Sequence, residues 1–267
     1  KTKIPNKSVL LTFDDGYSDH YENVFPVLEK YNLQGSFYAP AKVITDNIVL
    51  DVNKVHFILA SVDNASILVE DLKELIDVYQ EEYGLDDFVE YYMRLGHNSR
   101  FDSKDVIFIK RLLQVELVEE LRLKIVDILF NKYIGISENS FSKDLYMNED
   151  QLKHMLACGH HIGNHGYNHY WWSSLNKEEM KEELSLSNNF LKNIGVDMNN
   201  WTACYPYGSF NNQIIQMLEE QGCKLALTTD VGIALTNQKT RFIMPRLDTN
   251  DLPKDSNSSP NNWSSLG

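Results

Sequence analysis

Short apolar runs that stop abruptly at polar or glycine residues, each followed by an amphipathic stretch, constrain this chain's fold more than any other feature. Val9 to Phe13 is a continuous apolar run with one Thr, and it ends at Asp14-Asp15-Gly16. A run this short, without polar alternation, reads as a strand buried on both faces. Tyr21 to Tyr31 reads as a helix carrying Pro26, and Gly35 to Ala39 as a second strand. Strand, helix, strand in that order is the beginning of a βαβ unit, and therefore of a parallel sheet.

The rhythm then breaks. Leu68, Leu72, Leu75, Ile76 and Tyr79 recur at helical spacing, as do Leu117, Leu121, Ile125, Ile128 and Leu129. That period predicts a largely helical insertion at about 51–147, placed to act as a lid or as an oligomer surface. Afterwards the βα alternation returns. Asn148 is the expected N-cap of a helix through Leu152, Met155 and Leu156 that stops at Gly159, and a strand follows at His161-Ile162-Gly163. A helix is expected from Asn176 to Gly195, apolar at Met180, Leu184, Ser187, Leu191 and Ile194. Further strands are expected at 201–205, 224–228 and 241–247, with a helix from Asn211 to Gln221. The expected organisation is one domain over residues 1–252, interrupted by the insertion, and a polar Ser/Asn-rich tail over 253–267. Repeated βα units suggest a parallel barrel or a doubly wound sheet; in barrels the chemistry sits at the C-terminal ends of the strands.

With 267 residues and 43% hydrophobic content the chain can bury a full core. Its formal net charge of −13 repels phosphate backbones, which excludes nucleic acid as the expected partner and favours a neutral or amine-bearing one. Cys158, Cys204 and Cys223 are odd in number and lack C-x-x-C spacing, so they are expected as buried thiols rather than as a disulfide or zinc-finger framework. No apolar run approaches the ~18 residues that would span a bilayer. A cytoplasmic location is slightly favoured; a cell-envelope or secreted one applies if an N-terminal segment was removed before Lys1.

Two places carry chemistry. Asp14 and Asp15 lie side by side at a strand end, a pattern that is also common in plain turns. The second place is the stretch from Gly159 to His169, where four of the eight histidines fall within ten residues. His165 and His169 are four apart, a spacing that can aim two imidazoles at one point, and the glycines around them favour a tight loop over a helix interior. Two His and one carboxylate make a three-ligand metal site with positions left for water and substrate. A metal so held lowers the pKa of its water from ~15.7 toward ~7, and a spare carboxylate can take the proton.

At these residues the chain resembles the NodB-like polysaccharide deacetylases, the fourth carbohydrate esterase family. Thr12-Phe13-Asp14-Asp15-Gly16 matches that family's first motif, and His165-Gly166-Tyr167-Asn168-His169 its second. Tyr205-Pro206-Tyr207-Gly208 resembles the third. The resemblance implies a distorted (β/α) barrel and hydrolysis of an N-acetyl group on a glycan substrate. It also implies that Asp14 is the base and that Asp15, His165 and His169 hold a divalent metal, zinc in the first place, with Co, Ni or Mn able to fill such a site. The backbone N–H of Tyr207 would face the oxyanion.

The chain departs from the family pattern at three points. Cys204 stands where the third motif carries Arg, no His follows His169 to serve as general acid, and the insertion has no counterpart in the minimal fold. Met244-Pro245-Arg246-Leu247-Asp248 resembles variants from surface-glycan pathways, and Arg246 is expected to replace the missing Arg beside Asp14. Two other readings stay open: a deformylase or deacylase of a lipid- or nucleotide-linked sugar, and a catalytically silent glycan-binding module. His20, His56 and His97 read as isolated surface or core imidazoles, and His160 and His161 as either ligand-orienting or packing groups. The acidic run through Glu178, Glu179, Glu182 and Glu183 reads as a solvated helix face.

Overall fold

The computed structural model describes residues 8–99, 102–235, 239–255, 257–259 and 263. Its chain order opens with β1 (Leu11–Asp14), a π-helical turn (His20–Val24), α1 (Phe25–Lys30), β2 (Gly35–Ala39) and α2 (Ala41–Thr45). Six helices follow: α3 (Asp51–Ala60), α4 (Ser66–Tyr83), α5 (Phe88–Leu95), α6 (Lys104–Arg111), α7 (Glu119–Tyr133) and α8 (Glu138–Leu145). The chain then runs through α9 (Glu149–Ala157), β3 (His161–Asn164), α10 (Lys177–Ile194), β4 (Ala203–Cys204), α11 (Asn212–Glu220), β5 (Ala226–Val231) and β6 (Met244–Arg246).

All six strands are parallel, and their order in the sheet is their order in the chain. A doubly wound sheet reverses its strand order at a switch point; this sheet never does. Right-handed crossovers repeated in one direction put the helices on one side and curl the sheet toward a barrel. The architecture is thus the distorted (β/α) barrel rather than the doubly wound alternative. Among the described residues no backbone ladder closes the curl, since β1 and β6 are the two ends of the order. A guanidinium links them: Arg246 on β6 donates to Thr12 Oγ1 and to Asp14, both on β1.

By contact clustering the chain divides into two compact units, one of residues 1–48 with 142–267 and one of 49–141. The second unit is helical and builds its own core from Leu68, Leu72, Ile76, Phe108, Leu121, Ile125 and their neighbours. Its only deeply buried cation, Lys54 among the described residues, pairs with Asp127 and Glu138 of the same unit. In the barrel unit, Phe25, Phe37, Ile162 and Leu191 share one buried cluster, and Trp172, Trp201, Leu184 and Ala226 another. No described helix in either unit is long and apolar enough to cross a membrane.

Local chemistry sets several element ends. Asn148 caps α9 in a capping box with Gln151, and Asn176 caps α10 in one with Glu179. Gly195, left-handed at φ 100°, ends α10. The strand boundaries shift from the sequence expectation. β1 begins at Leu11, where pairing with β2 begins; Val9 and Leu10 ahead of it are exposed, at 82% and 58%, so apolar character there does not signal burial. The helix expected over 21–31 starts as a π turn at His20 and becomes α-helical only from Phe25, with Pro26 in its first turn. The strand expected over 201–205 shrinks to Ala203–Cys204, and the expected tail over 253–267 lies largely outside the described residues. Cys204 and Cys223 are buried, but Cys158, at the C-cap of α9, is exposed.

Candidate active site

The residues singled out from the sequence meet at the C-terminal ends of β1, β3, β4 and β6. Thr12 and Asp14 are two apart on β1 and so project to the same side. At Asp15 and Gly16 the chain turns left-handed twice in succession, at φ 71° and 74°. Gly16 has no room for a side chain, because a Cβ would lie 2.7 Å from that of Ala39. This turn swings the Asp15 carboxylate toward the loop after β3. There His165 Nε2 and His169 Nε2 each lie 3.4 Å from the same oxygen, Asp15 Oδ1.

Backbone strain is concentrated here. Among the described residues, five other than glycine have positive φ: Asp15, Asn32, Asn47, His169 and Tyr207. Two are Asn, which tolerates that region; the other three are site residues. Such conformations cost of order 1–3 kcal/mol each and persist where surrounding structure fixes them. At Tyr207 (φ 57°) the fixing is visible. Gly208 N–H donates to Tyr205 O, Trp171 stacks on the Tyr207 ring at 4.5 Å, and His169 meets that ring edge-on at 4.7 Å. Gly208 itself must be glycine, because its φ is 68° and a Cβ would lie 2.1 Å from Thr229 Oγ1.

Both imidazoles are buried, and their Nε2 atoms converge. His165 donates from Nδ1 to Cys204 O at 2.8 Å, which leaves the Nε2 lone pair free to bind a cation. His169 Nδ1 is buried without a hydrogen-bond partner. Asp15, His165 and His169 therefore offer three donor atoms within 4.8 Å of one another. The donor separation of 3.4 Å is close to the edge of a tetrahedral shell with bonds of ~2.0–2.1 Å. Asp14, His165 and Cys204 form a second, overlapping set. It is the poorer cation site, because Arg246 already occupies both Asp14 oxygens.

Arg246 grips Asp14 as a fork, NH1 to Oδ1 at 3.0 Å and NH2 to Oδ2 at 2.7 Å. Its Nε donates to Thr228 O, which fixes the plane of the guanidinium. Burial pushes the Asp14 carboxyl up, but His165 and Arg246 outweigh it and leave the group below its ordinary value. Cys204 fills the space on the other side, its Sγ 3.4 Å from Asp14 Oδ2. At Asp15, burial is again overcome, here by the bonds to both imidazoles, and the carboxyl lies far below its usual range. Burial disfavours charge on both rings. At His165 the acidic groups of Cys204, Asp15 and Asp14 prevail and raise it, whereas at His169 burial prevails and lowers it.

The structure also corrects and extends the set of residues read from the sequence. Glu183 is not on a solvated face: it is 2% exposed, and its carboxylate binds the loop between the two histidines. The signal was present, since Glu183 falls three after Met180 and four before Ser187, on the buried stripe of α10. His20 is a packed imidazole close to the two carboxylates. It packs on Phe13 and Phe37, its Nδ1 is buried without a partner, and burial lowers it while Asp15 and Asp14 pull the other way. His160 is a structural group: Gly35 N–H donates to its Nδ1, and its Nε2 lies 3.0 Å from Glu29. His161 bonds Thr202, which also meets the Tyr38 hydroxyl.

Comparison with known proteins places this arrangement. A family model described as polysaccharide deacetylase matches residues 1–75 and 124–226. A Bacillus subtilis (strain 168) protein described as a polysaccharide deacetylase, YxkH, is 45% identical over 42 residues, which is 16% of this chain and 15% of that protein. Among solved structures, IcaB from Ammonifex degensii is similar with a TM-score of 0.51 at 18% identity, over 94% of this chain and 71% of that one. The Streptococcus pyogenes deacetylase PplD, in complex with acetate, is similar with a TM-score of 0.50 at 17% identity, over 92% of this chain and 66% of that one. At those identities the structures establish the shared fold, and the family match covers more than half of the sequence. The chain belongs to the polysaccharide deacetylase family of hydrolases.

Proposed function

We propose that this protein is a metal-dependent hydrolase that removes acetyl groups from N-acetylated hexosamine units of a polysaccharide or surface glycan. The observation that carries the reading is the convergence of Asp15 Oδ1 with both imidazole Nε2 atoms, beside a second carboxylate held ionised by Arg246. Asp15, His165 and His169 would hold the cation, zinc by the chemistry of the donor set, with Co, Ni or Mn as substitutes. When bound, such an ion polarises the amide carbonyl and lowers the pKa of water.

The chain's own residues do the rest. Asp14 takes the proton of the attacking water, a role worth roughly 10²–10⁴-fold. Arg246 keeps its carboxylate charged and aimed. By its place in the third motif, the backbone N–H of Tyr207 would donate to the developing oxyanion, a donor worth about 3–4 kcal/mol in comparable sites. The proton that Asp14 has accepted passes on to the departing amine.

Acetate release from a panel of N-acetylated oligosaccharides, with and without chelator and with zinc restored, tests the reading. Release should stop with chelator and return with zinc; chelator-insensitive release refutes metal dependence. Formate release from N-formyl sugars, measured in parallel, separates the deacetylase from a deformylase. Asp15→Ala, His165→Ala and His169→Ala should each lose tightly bound metal, whereas Asp14→Asn should retain it and lose at least 10²-fold in rate. If Asp14→Asn loses the metal and Asp15→Ala keeps it, the two roles are exchanged.

A further inference from the structure

The loop that carries the two histidines is gripped from both sides. Its carbonyls at Gly166 and Tyr167 accept from Ala41 N–H and Lys42 N–H, the first amides of α2, at 3.1 Å each. Its amides at Tyr167 and Asn168 donate together to one atom, Glu183 Oε1, at 2.8 Å each. Successive backbone N–H groups that converge in this way form an anion-binding nest. Here a side chain of the same molecule fills it. Gly166, left-handed at φ 79°, brings the backbone so close that a Cβ would stand 2.7 Å from Glu183 Oε1.

The other carboxylate oxygen continues the chain of contacts. Glu183 Oε2 accepts from Asn168 Nδ2 at 2.7 Å, and Asn168 Oδ1 accepts from Lys42 Nζ at 2.9 Å. This chain has a single polarity: a cation that only donates at one end, an anion that only accepts at the other, and an amide oriented between them. Burial pushes the Glu183 carboxyl up, and the donors of Asn168 and Tyr167 oppose that. A buried carboxylate held by several donors in a tight loop fixes geometry at a desolvation cost that a plain core would avoid.

We propose that Glu183 is a positioning residue that, through the Tyr167 and Asn168 amides and the Asn168 side chain, presets His165 and His169 in the geometry that holds the cation. The role rests on the metal-dependent reading above. Glu183 acts through the residues between the two histidines, whose amides it binds next to the left-handed turn at His169.

Glu183→Gln isolates the effect with almost no change in volume. Gln Oε1 can still receive the two backbone amides, but its Nε2 then faces Asn168 Nδ2, donor against donor. Flipping Asn168 relieves that clash only by turning its Nδ2 toward the Lys42 ammonium. Lys42→Met removes this second conflict. In zinc titrations against a competing chelator, Glu183→Gln should bind ~10–100-fold more weakly, the size seen when supporting partners of metal ligands are lost. Lys42→Met should stay within a few-fold of the parent, and the double variant should recover most of the loss, a coupling that a simple packing defect does not produce. Glu183→Gln that binds zinc as tightly as the parent overturns the proposal, as does a double variant no better than Glu183→Gln. Amide hydrogen exchange at Tyr167 and Asn168 in metal-free protein is the independent arm. It should speed up at least tenfold in Glu183→Gln, and unchanged protection also overturns the proposal. If the parent binds no zinc at all, the metal reading fails, and the exchange result still decides whether Glu183 orders the loop. Should Glu183→Gln fold poorly, Asn168→Ala, which removes the side-chain bond to Glu183 Oε2 but leaves the carboxylate in its nest, should weaken zinc binding and speed exchange in the same direction, and parent-like values in both overturn the proposal.

Discussion

Arg246 reaches Asp14 from β6, while the position that supplies an arginine in the resembling family holds Cys204, whose thiol lies 3.4 Å from the same carboxylate. The guanidinium adds two charged hydrogen bonds, each worth roughly 1.5–3 kcal/mol in general, and it is among the causes that depress Asp14. Removing it must therefore raise the Asp14 pKa. Arg246→Ala, and to a smaller degree Arg246→Lys, should lower kcat by at least tenfold and move the acid limb of the activity–pH profile upward, with metal content unchanged. Lysine keeps the charge but loses the fork. A fully active Arg246→Ala with an unmoved acid limb would show that Asp14 is supported in some other way. At this scale the sequence was legible where residue types cluster, as at Asp14-Asp15 and His165 to His169. It was not legible at Glu183, which sits in a run of acids and differs from Glu182 only by which side of α10 it faces. Nor was it legible at His20, whose nearness to the carboxylates depends on a π turn that no local pattern announces.

Helix ends were read well because their chemistry is local. Asn176 accepts from the amides of Glu178 and Glu179, and Glu179 reaches back to the Asn176 amide. Losing such a cap costs about 1 kcal/mol, or about 2–4 °C in Tm for a domain this large. Asn176→Ala should show that drop in thermal unfolding and leave the acid limb of the activity profile in place; an unshifted Tm would mean that the first turn of α10 is held by packing alone. Strands were read less well, because their limits depend on partners distant in sequence. β4 is two residues long although the apolar run around it is longer, since only Ala203 and Cys204 sit in register with β5. Val9 and Leu10 have strand-like side chains but lie ahead of the point where β2 begins to pair with β1.

Two hydrophobic cores explain how one chain accommodates a large interruption. Every buried member of the helical unit's cluster falls between Val55 and Phe130, and the barrel's three clusters draw none of theirs from 49–141. Each unit therefore draws its clustered core from its own residues. Replacing residues 49–141 with a short linker should leave a barrel that unfolds cooperatively and retains zinc. Comparing its rates on short and long glycans then tests the expectation that the inserted unit governs which substrates are accepted. A shortened chain that is unfolded by circular dichroism would show that the units are one cooperative whole. The helical period made the insertion visible in the sequence, but its limits were set too far toward the C-terminus, since residues 142–147 cluster with the barrel.

The closure of the barrel has a further consequence for anyone wishing to silence this protein. The sheet's two ends are joined through Arg246 to Thr12 and Asp14, so the proposed catalytic base is also half of the latch that shuts the fold. An Asp14 carboxyl depressed in the folded state stabilises the barrel at pH values above that of a free carboxylate, ~3.9, and this contribution fades as pH falls through the lower folded value. Acid should then unfasten the molecule and inactivate it in the same step. Asparagine at position 14 offers one acceptor where the guanidinium needs two, so an inert variant made for trapping substrate inherits a looser seam. A descendant that gave up turnover to become a mere glycan receptor could not discard this aspartate without finding another way to fasten its edges.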